Sequence, residues 1–173
     1  LLPSFGPVRI SRLLESFGDA ESVLRASTSK LQRVDGIGPE TAKIISSWQD
    51  QVDPTKELSD AEERGISIIT REDEEYPKHL LQAYDSPILL YVWGKILPRD
   101  KHAISVVGSR RTTTYGVNAT RKITYQLAHA GFTIVSGLAR GIDTAAHESA
   151  LAAKGRTIAV VGSGLARLYP PEN

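Results

Sequence analysis

The sequence predicts a mixed α/β fold, a doubly wound parallel sheet preceded by a small all-α domain, and three observations predict it. Short β-type runs alternate with helix-length segments through the last seventy residues, the first fifty carry helical periodicity around a Gly-Pro turn, and the composition is globular. Hydrophobic residues make up 40% of the 173 positions and charged residues 24%, and no apolar run reaches the roughly 18 to 20 residues that a membrane-spanning helix needs.

In Val8 to Phe17 the apolar residues Val8, Ile10, Leu13, Leu14 and Phe17 recur at helical spacing, and Gly18 stands where a helix C-terminus belongs. A second helix is expected over Ala20 to Ala26. The run Val34-Asp35-Gly36-Ile37-Gly38-Pro39 then makes a tight turn with Pro39 at a first helical position, followed by an amphipathic stretch to Trp48. This is a helix-hairpin-helix pattern, assigned to a domain over residues 1–55 that Asp53-Pro54 closes. Residues 56–65 are expected to form an acidic linker helix, and 66–173 the sheet domain. Its strand candidates are Ile66–Ile69, Leu89–Val92, Ile104–Val107, Thr133–Val135 and Thr157–Val161. Helices are expected over about Gly116–Ala130 and Asp143–Lys154, with Gly131 and Gly155 as stop signals. The first residue is Leu1 rather than Met, and the last strand leads to Asn173 before another crossover helix, so more chain is expected at both ends.

The formal net charge of +1 hides a division. Residues 1–100 hold 12 Lys and Arg against 17 Asp and Glu (12 − 17 = −5), whereas 101–173 hold 9 against 3 (9 − 3 = +6). An anionic ligand belongs on the basic half. With no cysteine in the sequence, disulfides, thiolate catalysis and Cys-ligated metals are excluded, and a reducing, cytoplasmic location is expected.

In an open parallel sheet ligands sit outside the carboxyl ends of the strands, where loops aim backbone N–H groups and helix N-termini at one crevice. Three strand exits here are small and hydroxyl-bearing: Gly108-Ser109-Arg110-Arg111, Ser136-Gly137-Leu138-Ala139-Arg140-Gly141, and Gly162-Ser163-Gly164. Such loops suit a phosphate cradle, with glycine for close backbone approach, serine hydroxyls, and the planar fork of arginine. The candidate phosphate-binding residues are therefore Gly108, Ser109, Arg110, Arg111, Ser136, Gly137, Arg140, Gly162, Ser163 and Gly164, with Arg110 as the charged anchor. The plainer reading of each loop is a tight strand-to-helix turn with solvated arginines.

No G-x-x-x-x-G-K-[ST] stretch is present, and Gly162-Ser163-Gly164 lacks the third glycine of a dinucleotide fingerprint, so no cofactor is expected. Asp143 and His147, four apart on one helix, invite an acid/base or metal reading, but two ligands make no metal site. The simpler expectation makes Asp143 the N-cap of its helix and His147 a residue buried under the loop. His102 and His129 are expected to be exposed at element ends, and Trp48 and Trp93 to be core or interface residues. The Gly36-Ile37-Gly38 turn, with Lys43 beyond it, is read either as a DNA-phosphate contact or as a packing unit.

Residues 66–173 resemble the DprA/Smf DNA-processing family. The resemblance rests on Tyr76-Pro77, Asp85 to Gly94, Val106-Val107-Gly108-Ser109-Arg110 with Tyr115-Gly116, Ser136 to Asp143 with Ala146-His147, and Thr157 to Val160 with Gly162 to Leu165 and Tyr169-Pro170. The helical first fifty residues also fit the family's N-terminal domain. The resemblance implies an extended Rossmann-like domain that binds incoming single-stranded DNA during natural transformation, protects it and assists loading of the RecA recombinase. It also implies a homodimer, no catalysis, and a phosphate pocket on the three loops named above. Where some members carry a basic residue after Tyr-Pro, this sequence has Pro171, so Arg111, Arg140 or Arg167 must supply that charge. The alternative from another class is a phosphoribohydrolase-like enzyme acting on nucleoside monophosphates, for which the basic half offers only Asp143, Glu148 and Glu172 as carboxylates.

Overall fold

The computed structural model describes residues 5–173, in two compact units, one ending at Lys95 and the other running from Ile96 to Asn173.

Four short helices open the first unit: α1 (Pro7–Phe17), α2 (Ala20–Arg25), α3 (Thr28–Leu31) and α4 (Pro39–Ser46). Each is bounded by local chemistry. Pro7 stands at the start of α1, and Gly18, at φ 90°, ends it by donating its N–H to the Leu14 carbonyl at 2.7 Å. Asp19 caps α2 by accepting from the Ser22 N–H at 2.7 Å. None of these helices is long enough to be stable alone, so their apolar faces are buried together, with Leu13, Val23, Leu31, Ile37, Ala42 and Ile45 forming one core. The helix-hairpin-helix is α3, the 34–38 turn and α4. Arg12 reaches from α1 to the Asp35 carboxylate at 2.7 Å and braces that turn.

Helix α5 (Pro54–Glu63), capped by Asp53, leads to a two-stranded antiparallel sheet of β1 (Ile66–Thr70) and β2 (Leu89–Trp93), in which Ile66 pairs with Trp93 and Thr70 with Leu89. The Tyr91 hydroxyl donates to Glu57 at 2.8 Å and ties the sheet to α5; burial and that carboxylate push the phenol up to about 12. Arg71 holds the sheet's far end, donating to the carbonyls of Ser86 and Pro87 and, at 3.0 Å, to Ser11 of α1. Tyr76 is buried beside it and donates to the Pro87 carbonyl at 2.5 Å. Trp48 is half-buried, but Trp93 is 67% exposed at the end of β2 and is no core residue.

The second unit is β3 (Ala103–Ser105), α6 (Thr114–His129), β4 (Thr133–Ser136), α7 (Ile142–Ala152) and β5 (Thr157–Ala159). The strands are parallel in the order β3-β4-β5, with Ile104 beside Ile134 and Ile134 beside Thr157. Two expected strands are shorter than their apolar runs, although the ladder continues one bond past each end, from Val106 N–H to the Val135 carbonyl and from Val160 N–H to the Ser136 carbonyl. Ile134, with no exposed surface, packs with Ala128 of α6 and with Ala146 and Ala150 of α7. Both helices therefore cover the same face of the sheet. The small alanines let them approach each other and the strand closely. The reversal of strand order that defines a doubly wound sheet does not occur within the described residues. On the uncovered face, Val107 and Val160 are 76% and 64% exposed.

At the amino ends of these strands a buried ion pair fixes the sheet. Asp100 receives Arg156 through two bonds of 2.5 and 2.7 Å, the Leu97 N–H at 2.7 Å and the Thr133 hydroxyl at 2.9 Å. Burial alone would raise this carboxyl, and these donors, Arg156 foremost, more than reverse that and hold it below its usual range.

Candidate functional site

Because β3, β4 and β5 are parallel, the three loops leaving them emerge on one edge, and the N-termini of α6 and α7 face the same way. The first loop packs on the second. The Ser109 carbonyl accepts the Ile142 N–H at 3.3 Å, and a Cβ placed on Gly141 would collide with that same carbonyl oxygen. Gly141 also has φ 84°, so two independent demands select glycine there. A Cβ on Gly108 would lie within 2.6 to 2.9 Å of three Ile142 side-chain carbons. These glycines make the loops' mutual contact possible.

Within the first loop, the Ser109 hydroxyl donates to the Arg111 carbonyl at 2.8 Å and accepts the Arg111 N–H at 3.1 Å, folding the backbone around Arg110. The Arg110 and Arg111 side chains are exposed and make no ion pair among the described residues. Thr113 caps α6 by accepting from the Gly116 N–H at 3.1 Å, and Tyr115 in the first turn is 82% exposed.

The second loop differs from expectation in three ways. Ser136 is buried, because strand alternation turns it to the same face as Ile134, and its hydroxyl donates to the Val106 carbonyl at 2.7 Å. Asp143 is no N-cap: Gly141 holds that position, and the carboxylate folds back instead to accept the N–H groups of Gly137 and Ala139 at 3.2 and 3.3 Å. The Gly137 N–H is thereby taken from any incoming anion. Between those two donors Leu138 sits at φ 60°, a left-handed conformation that the Asp143 contacts and the Asn173 side chain, bonded to the Leu138 carbonyl at 2.9 Å, maintain.

Arg140 is tethered. Glu172 accepts from its Nε at 2.7 Å, and its guanidinium lies 5.8 Å from the centre of the Tyr169 ring. The pairing holds the Glu172 carboxyl below its usual range and the guanidinium above its own. Gly162, Ser163 and Gly164 are exposed on the third loop, Gly164 at φ 78°. A pocket of about 280 Å³ lies between the first turns of α6 and α7 and the chain's last residues, lined by Val117, Arg121, Arg140, Thr144, Glu172 and Asn173 among others.

His147 is buried, but its partner is a strand. Its Nδ1 lies 2.7 Å from the Thr157 hydroxyl, which itself donates to the Ile134 carbonyl at 2.9 Å. That hydroxyl has one hydrogen, so Nδ1 must donate, and Nε2 is left buried without a partner among the described residues. Desolvation lowers the His147 pKa, only partly opposed by Asp143. His102 and His129 are exposed, and His129 stacks on Tyr125 with ring centres 6.2 Å apart. Among the described residues no group of three His, Asp or Glu is placed to hold a metal, and no helix is long and apolar enough to cross a membrane.

In the first unit, Ile37 of the Gly36-Ile37-Gly38 turn is buried in the helical core, and Asp35 and Arg12 occupy the turn's flank. Those contacts account for the turn as packing.

Residues 67–173 match the family model described as DNA recombination-mediator protein A. The chain belongs to that family. Protein Smf of Synechocystis sp. is 37% identical over 97% of the chain, and DNA processing protein DprA of Bacillus subtilis 39% identical over 64%. The chain spans 43% and 38% of the lengths of these two proteins. The X-ray structure of DNA processing protein A from Streptococcus pneumoniae superposes with a TM-score of 0.75 at 31% identity, over 98% of this chain and 58% of that one. A structure of the Helicobacter pylori family member, described for its single-stranded DNA binding mode, matches 61% of this chain and 47% of its own, with a TM-score of 0.51 and 31% identity. The family match spans all three loops.

Proposed function

We propose that the loop edge of the second unit binds the phosphate backbone of single-stranded DNA, and that the chain acts as a DprA-type recombination mediator. The observation that carries this reading is the convergence of three strand exits on one edge, with Arg110 and Arg111 exposed and unneutralised beside the N-terminus of a 16-residue helix. Family membership and the single-stranded DNA binding mode for which the Helicobacter pylori relative is described support the choice of ligand. Ser109, Arg110, Arg111, Gly162, Ser163 and Gly164 form the contact set, Gly108 lets the first loop close on α7, and Ser136, Gly137 and Arg140 act as braces. The reading extends to a Rossmann-like doubly wound sheet, a homodimer, assistance to RecA loading during natural transformation, and a cytoplasmic location.

The test is titration of a fluorescent oligonucleotide with the wild type and Arg110→Ala at several salt concentrations. A single-strand phosphate contact contributes a slope of about −0.7 in log K against log salt, so the variant should bind more weakly with a slope shallower by about that amount. Equal affinity and equal slope would remove the phosphate reading.

A further inference from the structure

We infer that Tyr115 is a base-stacking platform beside the phosphate loops, an assignment that rests on the single-stranded DNA reading of the same edge. Buried tyrosines in this chain use their rings in packing and their hydroxyls in hydrogen bonds, as Tyr76 does with Pro87 and Ser86. Tyr115 does neither. Its side chain belongs to no core cluster, its hydroxyl has no hydrogen bond among the described residues, and it is 82% exposed. Exposed rings are common on this chain, Tyr84 being 89% exposed, so exposure alone assigns Tyr115 no role.

Its position gives it one. Tyr115 is the second residue of α6, four residues after Arg111 and five after Arg110, and Thr113 fixes the start of that helix by capping Gly116. The neighbouring backbone is equally constrained: a Cβ on Gly116 would meet the Thr112 hydroxyl at 2.5 Å and the Ile142 side chain at 3.6 Å. The ring is therefore carried on a rigid helix turn next to a loop that offers two guanidinium groups with no ion pair among the described residues. In a single strand the bases lie a few ångströms from the phosphates they follow, and a cation together with an exposed aromatic face is the arrangement that engages both. Tyrosine is suited to the task, because it presents a large flat surface with only two side-chain torsions to fix.

The chemistry specifies the ligand as a strand whose bases are unstacked and free, with little preference among bases because each offers a π-face. A duplex keeps its bases stacked and gives the ring nothing to cover. Tyr115 is thus assigned the discrimination of single strand from duplex, and Arg110 the phosphate attraction common to both.

The experiment uses the 173-residue chain with two oligonucleotides of equal length, oligo(dT) and a phosphodiester strand of the same length in which every base is replaced by an abasic tetrahydrofuran unit. Aromatic–base stacking predicts that Tyr115→Ala weakens oligo(dT) binding by roughly 5- to 150-fold, leaves abasic binding within about twofold and does not change the salt slope. Tyr115→Trp should restore oligo(dT) binding, and circular dichroism of each variant should overlay the wild type. Arg110→Ala should weaken both ligands. If the wild type binds both strands equally, or Tyr115→Ala leaves oligo(dT) binding intact or weakens both ligands alike, the stacking role is overturned while the phosphate reading stands. If the wild type binds neither strand, both fall together.

Discussion

Gly108→Ala tests whether the loop edge is held by close packing on α7. The added Cβ would fall 2.6, 2.8 and 2.9 Å from Ile142 Cγ1, Cβ and Cγ2, three contacts shorter than real Cβ atoms show. Gly108 has no positive φ, so backbone strain is not part of the cost and the whole effect is steric. Ile142 cannot swing away, because it is the first residue of α7 and its N–H is bonded to the Ser109 carbonyl. Inserting one methyl into such a contact costs about 1 to 3 kcal/mol, and the loop carrying Ser109 and Arg110 must shift to relieve it. Urea unfolding followed by far-UV circular dichroism should show a lower midpoint, and amide exchange at β4 should localise the loss; tryptophan fluorescence is blind here, since Trp48 and Trp93 both belong to the first unit. The decisive variant is Gly108→Ala combined with Ile142→Gly, which removes all three of the crowding carbons. With the isoleucine side chain gone the added methyl has room, so the double variant should be no less stable than Ile142→Gly alone, a coupling of about 1 to 3 kcal/mol. A Gly108→Ala protein as stable as the wild type, or one whose loss is the same in both backgrounds, would refute the packing argument.

The remaining expectations concern charge. Asp100→Asn should cost about 3 kcal/mol, at the lower end for a broken buried pair because Arg156 keeps 21% of its side chain exposed, as read from denaturant midpoints at pH 7. Since the Asp100 carboxyl is held below its ordinary 3.8, the unfolded chain takes up that proton first, so its contribution is present above about pH 3.8 and lost as pH falls below; the Asn variant should lack this phase. His147 acts earlier and with the same sign: its pKa is lowered from 6.5, so the unfolded state binds the proton first and stability falls as pH drops below about 6.5, a phase that His147→Asn should abolish. Glu172→Gln frees Arg140 from its exposed partner, and should raise oligonucleotide affinity and steepen the salt slope without moving the thermal midpoint measurably.

The sequence discloses the fold wherever a pattern is local. The Gly-Pro turn, the periodicity of Val8 to Phe17 and the stop signal at Gly131 mark real element boundaries, because capping and backbone conformation act over a few residues, whereas α7 ends at Ala152 and the left-handed residue that follows it is Lys154 rather than Gly155. The loop edge is legible for the same reason, since parallel strand exits share an edge by geometry. What escapes are the side-chain partnerships over long separations. Arg156 with Asp100, Arg140 with Glu172 and the Ser136 hydroxyl with Val106 join residues 30 to 56 positions apart, and no spacing rule announces them. One signal is available for Ser136: its place in the same alternation as Ile134 turns it inward. Capping by Asp143 is the wrong expectation because Gly141 reads as an ordinary loop glycine, when it is the cap itself, held at φ 84° against the Ser109 carbonyl.

Those hidden pairings also determine what the basic half can do. Its three acids are all engaged: Asp143 holds loop N–H groups, Glu148 pairs with Arg121 at 3.3 Å, and Glu172 holds Arg140, while Asp100 takes Arg156. Six of the nine cations therefore make no ion pair among the described residues: Lys101, Arg110, Arg111, Lys122, Lys154 and Arg167. Lys101 and Lys154 precede strands and sit at the sheet's amino edge, and Lys122 is midway along α6. Arg110, Arg111 and Arg167, half of the six, follow β3 and β5 at the carboxyl edge. All three are arginines, whose flat guanidinium groups pair bidentately with phosphate, while the other three are lysines. The excess charge is thus sorted by position and by chemistry. A charge-neutralising Arg167→Gln should therefore reduce the salt slope of oligonucleotide binding as Arg110→Ala does, whereas Lys154→Gln, an equal change in net charge at the opposite edge, should leave it nearly unchanged. Equal effects of the two would mean that overall charge rather than this edge draws the strand.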